Sequence, residues 1–308
     1  MGFREQAATS IDSAGSAGRQ PSRQPGAVRR RLRRTGYEGS IHLVLIPLAT
    51  LFLLPLLWMV STSLKDASGV FLFPPQWIPD PVHWENYGLA LTALPFGRFF
   101  LNTLTLTFSA MAGQILSCSI VAFSFARLRW SGRNVLFIIV LATMMLPNQV
   151  TLIPTFLIFR QLGWLDTFLP MIVPAFLGGG PFLIFLMRQF FMTLSPELDD
   201  AARIDGASSF GIYWRIILPL AKPVLIAVAI FSFEAHWNDF FRPLIYLQSQ
   251  ENYTLSLGLH AFNSNYGRGT EWQLLMAASL VVMLPVILIF FFAQRYFIQG
   301  VVFSGVKG

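Results

Sequence analysis

Six long apolar segments dominate this sequence. They cover residues 41–61, 99–126, 135–159, 168–187, 223–241 and 272–294. A helix needs roughly 20 residues to cross about 30 Å of hydrocarbon, whereas a strand of a membrane barrel needs about half that number. The lengths therefore predict an all-α integral membrane protein with six transmembrane helices.

The composition excludes a soluble domain. Charged residues make up 12% of the 308-residue chain and hydrophobic residues 54%. Soluble domains carry roughly 25% charged residues, and a chain with half that fraction cannot cover its surface with polar side chains. The one cysteine, Cys118, allows neither an internal disulfide nor a cysteine-based metal site.

Basic residues divide unevenly between the two sides that six spans define. The N-terminal tail, 127–133, 188–222 and the end after the last span hold 17 of the 22 Lys and Arg, and the other side holds five. Because loops rich in Lys and Arg stay in the cytoplasm, both termini are predicted to be cytoplasmic. The long loops 62–98 and 242–271, which carry several aromatic residues, are then extracytoplasmic.

Four parts are predicted along the chain. Residues 1–40 form a disordered, Arg-rich cytoplasmic tail, because they hold almost no large apolar side chains. Residues 41–98 form the first transmembrane helix and a long extracytoplasmic loop, 99–297 a core with five transmembrane helices, and 298–308 a cytoplasmic C-terminal tail. A cleavable signal peptide is disfavoured, since the segment 41–61 is longer than the apolar region of a signal peptide.

Prolines and glycines interrupt the third and fourth spans. Pro147 and Pro154 lie in the third, and the fourth contains three glycines at 178–180 followed by Pro181. Proline removes a helix hydrogen bond, and the freed backbone groups are tolerated only against protein or water. These breaks favour a transport pathway over a plain anchor, with ordinary irregularity of membrane helices as the alternative.

The polar segment between the fourth and fifth spans is predicted to begin with a short helix. Ser195 caps it, Pro196 occupies its first turn, and Glu197 lies at the positive end of the helix dipole. Gly206 supplies the left-handed turn that ends it.

A second short helix follows. Ser208 or Ser209 caps it, and it is predicted to stop near Leu218 because Pro219 disfavours helical geometry in the residue before it. Two roles fit such a pair of helices: an amphipathic connector lying on the membrane, or a knob that inserts into a soluble partner.

The residues of this segment resemble a known motif. The stretch ELDDAARIDGA at 197–207, followed by IILP at 216–219, resembles the EAA loop of binding-protein-dependent ABC transporter permeases. The family pattern is Glu-Ala-Ala, three residues, Gly, and an Ile-x-Leu-Pro ending. Asp200 stands where the family usually has Glu, which keeps the charge but shortens the side chain by one methylene.

Further stretches are similar to the carbohydrate-uptake branch of that family, the permease type of maltose and glycerol-phosphate transporters. They are MLP at 145–147, LG at 162–163 with DT at 166–167, WNDF at 237–240, and the end of the chain from Gly300 to VKG at 306–308. The resemblance covers roughly residues 40–308 and leaves the Arg-rich tail unexplained.

The resemblance implies the type I ABC importer permease fold in a bacterial or archaeal inner membrane. It implies a heterodimer of permease subunits, two copies of a cytoplasmic ATP-binding subunit and an extracytoplasmic solute-binding protein. The sequence has no Gly-x-x-x-x-Gly-Lys-Ser/Thr phosphate loop, so ATP and Mg²⁺ are expected on the partner ATPase and no cofactor on this chain. The residues expected to couple to the ATPase lie in the coupling loop, residues 195–219: Glu197, Asp200, Ala201, Ala202, Asp205, Gly206, Leu218 and Pro219.

Polar residues of the fifth span are candidates for the substrate pathway or for the interface with the second permease. They are Glu234, Trp237, Asn238 and Asp239, since ionisable groups inside a bilayer are functional candidates by default. Helical spacing predicts that Glu234, Asn238 and Arg242 share one face, and Trp237 is a candidate for stacking on a sugar ring. A metal or acid–base site formed with His236 is disfavoured, because Glu234 and His236 do not face each other.

The expected function is therefore a permease subunit of an ATP-driven importer of a carbohydrate: an oligosaccharide, a disaccharide, a polyol or glycerol phosphate. The main alternative is an ion-coupled secondary carrier, disfavoured by six spans and no visible internal repeat. A membrane enzyme is disfavoured because no catalytic set is apparent. A nucleic-acid binder is disfavoured because orientation and attraction to anionic lipid explain the Arg-rich tail.

Overall fold

Every regular secondary-structure element among the residues that the structure describes is a helix. This computed structural model describes the backbone of residues 25–265 and 271–305, and the side chains of 41–262 and 271–294 apart from 148 and 293. In chain order the α-helices are α1 (Pro25–Ser63), α2 (Glu85–Ala93), α3 (Phe96–Arg127), α4 (Arg133–Ala142), α5 (Asn148–Gln161), α6 (Leu169–Phe176), α7 (Pro181–Thr193), α8 (Glu197–Ile204), α9 (Ser209–Ile212), α10 (Leu218–Leu220), α11 (Lys222–Trp237), α12 (Phe241–Tyr246), α13 (Leu255–Asn265) and α14 (Trp272–Gly305). Short 3-10 turns at Thr143–Met145 and Gln250–Asn252 and a π-helical turn at Tyr213–Ile217 complete the described elements.

The membrane spans agree with the six predicted. Four helical stretches are long and apolar enough to cross a bilayer: Ile41–Ser63, Phe96–Arg127, Leu169–Thr193 and Trp272–Phe292. Two bent pairs account for the others: Arg133–Met145 with Gln149–Gln161, bent by 101°, and Ser209–Leu220 with Lys222–Trp237, bent by 79°. Counting each bent pair once gives six spans in the described part of the chain.

Both terminal helices are longer than predicted. α1 begins at Pro25, inside the segment predicted to be a disordered tail, and α14 continues to Gly305, through most of the predicted C-terminal tail. Extending an existing helix gains one hydrogen bond for each residue fixed, and arginine is a good helix former. The run of arginines at 29–34 therefore continues the helix of the first span. The predicted tail residues 1–24 and 306–308 lie outside the described residues.

The chain divides into two compact units, residues 1–57 and 58–308. The described part of the first unit is a single stretch of α1. In the second unit α3 is the central helix and packs against α6, α7, α11 and α13. One buried apolar cluster around Phe191 and Val228 joins α3, α7 and α11, and another around Phe99, Trp237 and Phe262 joins α3, α11, α13 and α14.

The third and fourth spans are interrupted where the sequence predicts breaks. α5 starts directly after Pro147, following the bend in the third span. In the fourth span α6 and α7 are separated by residues 177–180, where Gly178, Gly179 and Gly180 have φ of 122°, 64° and 140°. Glycine reaches these angles without the Cβ clash that other residues meet, so three consecutive glycines permit this break.

Candidate functional site

The first helix of the coupling loop begins and ends as predicted. The Ser195 hydroxyl accepts a hydrogen bond from the Glu197 N–H at 3.2 Å. At the other end Gly206 has φ of 78°, and the Ala207 N–H donates to the Ala202 carbonyl at 2.9 Å. The glycine therefore turns the chain back while satisfying a carbonyl of the last helical turn.

The second helix of the loop is capped as predicted but ends later. The Ser208 hydroxyl accepts from the Gly211 N–H at 3.1 Å, which confirms one of the two caps considered. The helix continues through the π-helical turn and α10 to Leu220, two residues beyond the predicted stop near Leu218. Proline removes a helix hydrogen bond and clashes with the carbonyl four residues earlier; the wider π turn just before Pro219 loosens that geometry, and the bend comes at Ala221 instead.

α8 is held to the rest of the chain by two buried residues, Asp199 and Ala202. Asp199 Oδ2 lies 3.6 Å from Arg127 Nη1 at the end of α3, and Arg127 Nη2 donates to the Leu194 carbonyl at 2.9 Å. Sequence reasoning missed this buried ion pair. The sequence offered one indication of this pair: a further acidic residue, Asp199, in a first helical turn where Glu197 already complements the helix dipole.

Most of the predicted coupling residues lie on the exposed surface of the loop. Glu197, Asp200, Ala201, Asp205 and Gly206 are exposed, Ala202 is buried, and Leu218 and Pro219 lie at the junction with α11.

Large apolar side chains lie among the exposed acids of the coupling loop. Ile204 is 86% exposed, and the exposed rings of Phe210 and Trp214 stack on each other with centroids 6.4 Å apart. This part of the loop thus combines exposed carboxylates with exposed apolar area.

The polar residues around the end of α11 do not form the predicted helical face. α11 ends at Trp237, where the Asn238 N–H donates to the Glu234 carbonyl at 3.2 Å. Arg242 belongs to the next helix, α12, and pairs with Asp239 at 2.5 Å. The prediction of one face with Glu234, Asn238 and Arg242 is therefore wrong, because Asp239 also accepts from the Arg242 N–H and caps a new helix instead of continuing the old one.

Trp237 lies in the core and does not present its ring to a sugar in this structure. It is 2% exposed, its indole N–H donates to the Val282 carbonyl at 3.2 Å, and its ring stacks on Phe233 at 5.2 Å. A tryptophan next to polar residues is drawn into the core because its ring offers far more apolar area than its one N–H offers polarity. Of the four candidates, Glu234 and Asn238 remain exposed.

A polar network inside the spans was not predicted. Gln114 of α3 donates its side-chain N–H to the Gly179 carbonyl and accepts from the Ser232 hydroxyl of α11 at 2.6 Å. The Nδ1 atom of His236 lies 2.7 Å from the Ser232 carbonyl. Ser117 adds a donor to the Ala175 carbonyl at 2.7 Å. Side chains of α3 thus satisfy carbonyls that the break in the fourth span releases, and Gln114 links that break to α11.

A second unpredicted site joins two loops on the side opposite the coupling loop. Asp166 Oδ1 accepts from the backbone N–H groups of Gln248 and Ser249, each at 2.9 Å, and the Ser249 hydroxyl bonds to Oδ2. The Asn252 amide donates to the Asp166 carbonyl at 2.7 Å. These donors favour the ionised form and hold the pKa of Asp166 well below its usual range.

The described side chains include no group of three or more His, Cys, Asp or Glu arranged to hold a metal ion. The described residues instead form a coupling loop with exposed acidic and apolar side chains, and a broken fourth span that is hydrogen-bonded to α3. At the opposite end, Asp166 holds the loop at 248–252 by hydrogen bonds.

Comparison with known proteins gives a consistent assignment. Residues 114–302 match the family described as "Binding-protein-dependent transport system inner membrane component". The chain is 33% identical over 277 residues to the sn-glycerol-3-phosphate transport system permease protein UgpE of Yersinia pestis bv. Antiqua (strain Antiqua), with 88% of this chain and 98% of the relative covered. It is 34% identical over 275 residues to the arabinooligosaccharides transport system permease protein AraQ of Bacillus subtilis (strain 168), with 88% and 96% covered.

A solved structure shares the fold. It is the crystal structure of a bacterial ABC transporter involved in the import of the acidic polysaccharide alginate, with a TM-score of 0.74, 26% sequence identity, and 87% of this chain and 98% of that chain covered. With the six spans and the broken fourth helix described above, these similarities show that the chain belongs to the family of inner-membrane components of binding-protein-dependent transport systems.

Proposed function

We propose that this permease imports a carbohydrate, a polyol or glycerol phosphate, and that the coupling loop receives the movement of a separate ATPase. The complex would contain a second, different permease subunit, two ATPase copies that bind ATP and Mg²⁺, and an extracytoplasmic solute-binding protein. Both termini would be cytoplasmic, and residues 99–297 would form the transport core. The named substrates of the two relatives, glycerol phosphate and arabinooligosaccharides, support this range of solutes, and the family favours ATP-driven import over an ion-coupled carrier.

The exposed surface of α8 is the observation that carries the coupling proposal. Only Asp199 and Ala202 of this helix are buried, while Ile204 exposes 86% of its surface. An exposed aliphatic side chain between carboxylates suits a protein groove that has an apolar floor and a basic rim. The ion pair between Arg127 and Asp199 connects α8 to the end of α3. A displacement of α8 is therefore transmitted directly to α3.

The charge of this surface separates the two roles considered for the loop. The exposed acids Glu197, Asp200 and Asp205 outnumber the two exposed arginines of the loop, Arg203 and Arg215, and the cytoplasmic leaflet carries negative charge. Amphipathic helices that lie on membranes carry Lys and Arg on their polar face instead. The acids therefore favour a protein partner over the membrane surface.

We propose a narrower role for the polar end of α11. Glu234 and Asn238 are exposed and lie one helical turn apart, so they face either the solute pathway or the second permease. Asp239 and Trp237 have partners within this chain and would act by shaping that end of the helix.

The test changes the turn at Gly206 that ends α8. Gly206 has a left-handed φ of 78° and no atom within 4 Å of the position of an added Cβ. A Gly206→Val variant is therefore strained only in its backbone, and we expect it to insert normally but to lose most uptake while the ATPase still turns over. Gly206→Asn is the matched control, because asparagine tolerates the left-handed conformation, and it should retain most uptake.

Uptake of radiolabelled solute and ATP hydrolysis are both measured in proteoliposomes that contain the complete transporter and its solute-binding protein. Normal uptake by a well-assembled Gly206→Val variant would overturn the proposed coupling.

A further inference from the structure

An open cavity of about 280 Å³, with lining residues that are mostly exposed, lies between the end of α3 and the start of α4. Its lining is formed by Arg129, Trp130, Gly132, Arg133, Asn134 and Val135. Nothing in the transport mechanism described above uses these residues.

The cavity is positively charged. Neither Arg129 nor Arg133 forms an ion pair with a described residue; Arg133 donates Nη1 to the Leu128 carbonyl at 2.9 Å. The arginine fork matches the oxygens of a phosphate group, so the cavity is suited to a phosphate-bearing anion.

The cavity lies at the start of α4. α4 starts at Arg133 after Gly132, whose φ is 83°. The first N–H groups of a helix have no partner within the helix and carry its positive dipole end. Asn134 and Val135, which line the cavity, supply two of these groups.

The position of the cavity points to the boundary between lipid and water. Arg127, two residues before Arg129, binds Asp199 of the coupling loop, so the cavity lies at the same end of the spans as that loop. From the cavity, α4 continues into an exposed apolar side formed by Val135, Leu136, Ile138 and Ile139. Trp130 is partly exposed at the start of this side, the depth at which tryptophan is enriched in membrane proteins.

We propose that this cavity binds the phosphate of an anionic phospholipid, with the acyl chains along the apolar side of α4. The arginines and the start of α4 hold the phosphate. The apolar side of α4, which begins directly at the cavity, favours a lipid over a free phosphate ion, which would need water on that side. The assignment to the cytoplasmic leaflet rests on the orientation proposed above, whereas the binding itself does not.

Binding is tested on the full-length chain in its complete, delipidated transporter in detergent. Native mass spectrometry measures the affinity for short-chain phosphatidylglycerol and for phosphatidylcholine, with and without excess inorganic phosphate. We expect phosphatidylglycerol to bind at least about fivefold more tightly than phosphatidylcholine, and Arg129→Gln to weaken it by about fivefold. Arg129 makes no hydrogen bond or ion pair with a described residue, so this variant leaves the fold intact.

Two further variants complete the test. Arg129→Gln combined with Arg133→Gln should abolish the preference for phosphatidylglycerol. Arg215→Gln removes an exposed arginine outside the cavity and should change the affinity by less than about twofold. Equal affinity of Arg129→Gln and the unaltered chain would overturn the proposal, and displacement of the lipid by inorganic phosphate would assign the cavity to a soluble anion. Because the readout is lipid binding and not uptake, failure here is distinct from failure of the coupling proposal.

Discussion

Arg127 Nη1 lies 3.6 Å from Asp199 Oδ2, and both side chains are more than nine-tenths buried. The pair joins the last residue of α3 to the first turn of α8. It is incompletely satisfied, since Arg127 Nε and Asp199 Oδ1 have no hydrogen-bond partner among the described residues. Two buried polar contacts therefore connect the coupling loop to the central helix among the described residues: this ion pair, and the hydrogen bond between the Ser119 and Tyr213 hydroxyls at 2.7 Å.

Removing one partner of this pair should be strongly destabilising. Asp199→Leu leaves the Arg127 guanidinium buried without its counter-charge, and such a change costs about 3–5 kcal/mol. Arg127→Met should lower stability by a similar amount. Thermal unfolding of the purified transporter gives the order of stability of the variants.

The matched control is the double variant, Arg127→Met with Asp199→Leu. Replacing a whole buried ion pair by apolar residues is often neutral or stabilising, so the double variant should be more stable than either single variant. If the two losses simply add, the pair does not act as a buried unit.

Gln114 and Ser232 should be energetically coupled. Gln114→Leu removes the side-chain donor of the Gly179 carbonyl and the acceptor that the Ser232 hydroxyl has on α3, and we expect a loss of about 1–2 kcal/mol. After Ser232→Ala the same change should cost less, because one of the two bonds is already gone. A double-mutant cycle by thermal unfolding should give a coupling of roughly 0.6–1.7 kcal/mol; a value near zero would show that the observed bond contributes nothing.

Local features could be predicted from the sequence, and contacts between distant residues could not. The turn at Gly206 and a cap at Ser208 or Ser209 depend on residues within a few positions, so the motif predicts the turn and narrows the cap to two residues. Gln114 and Ser232 are 118 residues apart, and their pairing depends on how α3 and α11 pack. The same limit explains the error at Trp237, since a polar neighbourhood in sequence does not reveal the apolar cluster that surrounds the ring in space.

The additional helical turns at the ends of α1 and α14 show a different limit of prediction from the sequence. Composition at 25–40 predicts a tail, but the apolar span that follows supplies a preformed helix from which further turns grow at little cost. The fold class and the number of spans were available from segment length alone, because the bilayer thickness fixes that length.

Acidification should loosen the contact between Asp166 and the loop at 248–252. The hydrogen bonds that Asp166 accepts lower the pKa of its carboxyl group in the folded protein, and the bond from the Ser249 hydroxyl is the largest cause. The unfolded chain binds a proton below about pH 4, whereas the folded chain stays ionised to lower pH, so the unfolded state binds more protons in this window. Stability from this group is therefore fully present above about pH 4 and is lost as the pH falls towards the folded pKa.

Hydrogen exchange at residues 248–252, measured from pH 6 down to about pH 3, checks this dependence after correction for the intrinsic exchange rates. The unaltered chain should lose protection as the pH falls through about 4. Asp166→Asn lacks the titrating group and presents an amide that cannot replace all the acceptors, so its protection should be low and nearly independent of pH in the same range. Parallel curves for the two proteins would show that another group controls the loop.

Gly179→Ala should damage the break in the fourth span. The residue has φ of 64°, and an added Cβ would lie 2.9 Å from Ser117 Oγ and 3.1 Å from Gln114 Cγ. The left-handed backbone costs a non-glycine residue about 1–2 kcal/mol, and overpacking against α3 adds about 1–3 kcal/mol. Gly97→Ala is the matched control, since its Cβ would meet nothing within 4 Å and its φ is not left-handed. We expect Gly179→Ala to lower both the thermal midpoint and solute uptake, and Gly97→Ala to leave both nearly unchanged. If the two variants behave alike, the close approach of the break to α3 does not constrain the working transporter.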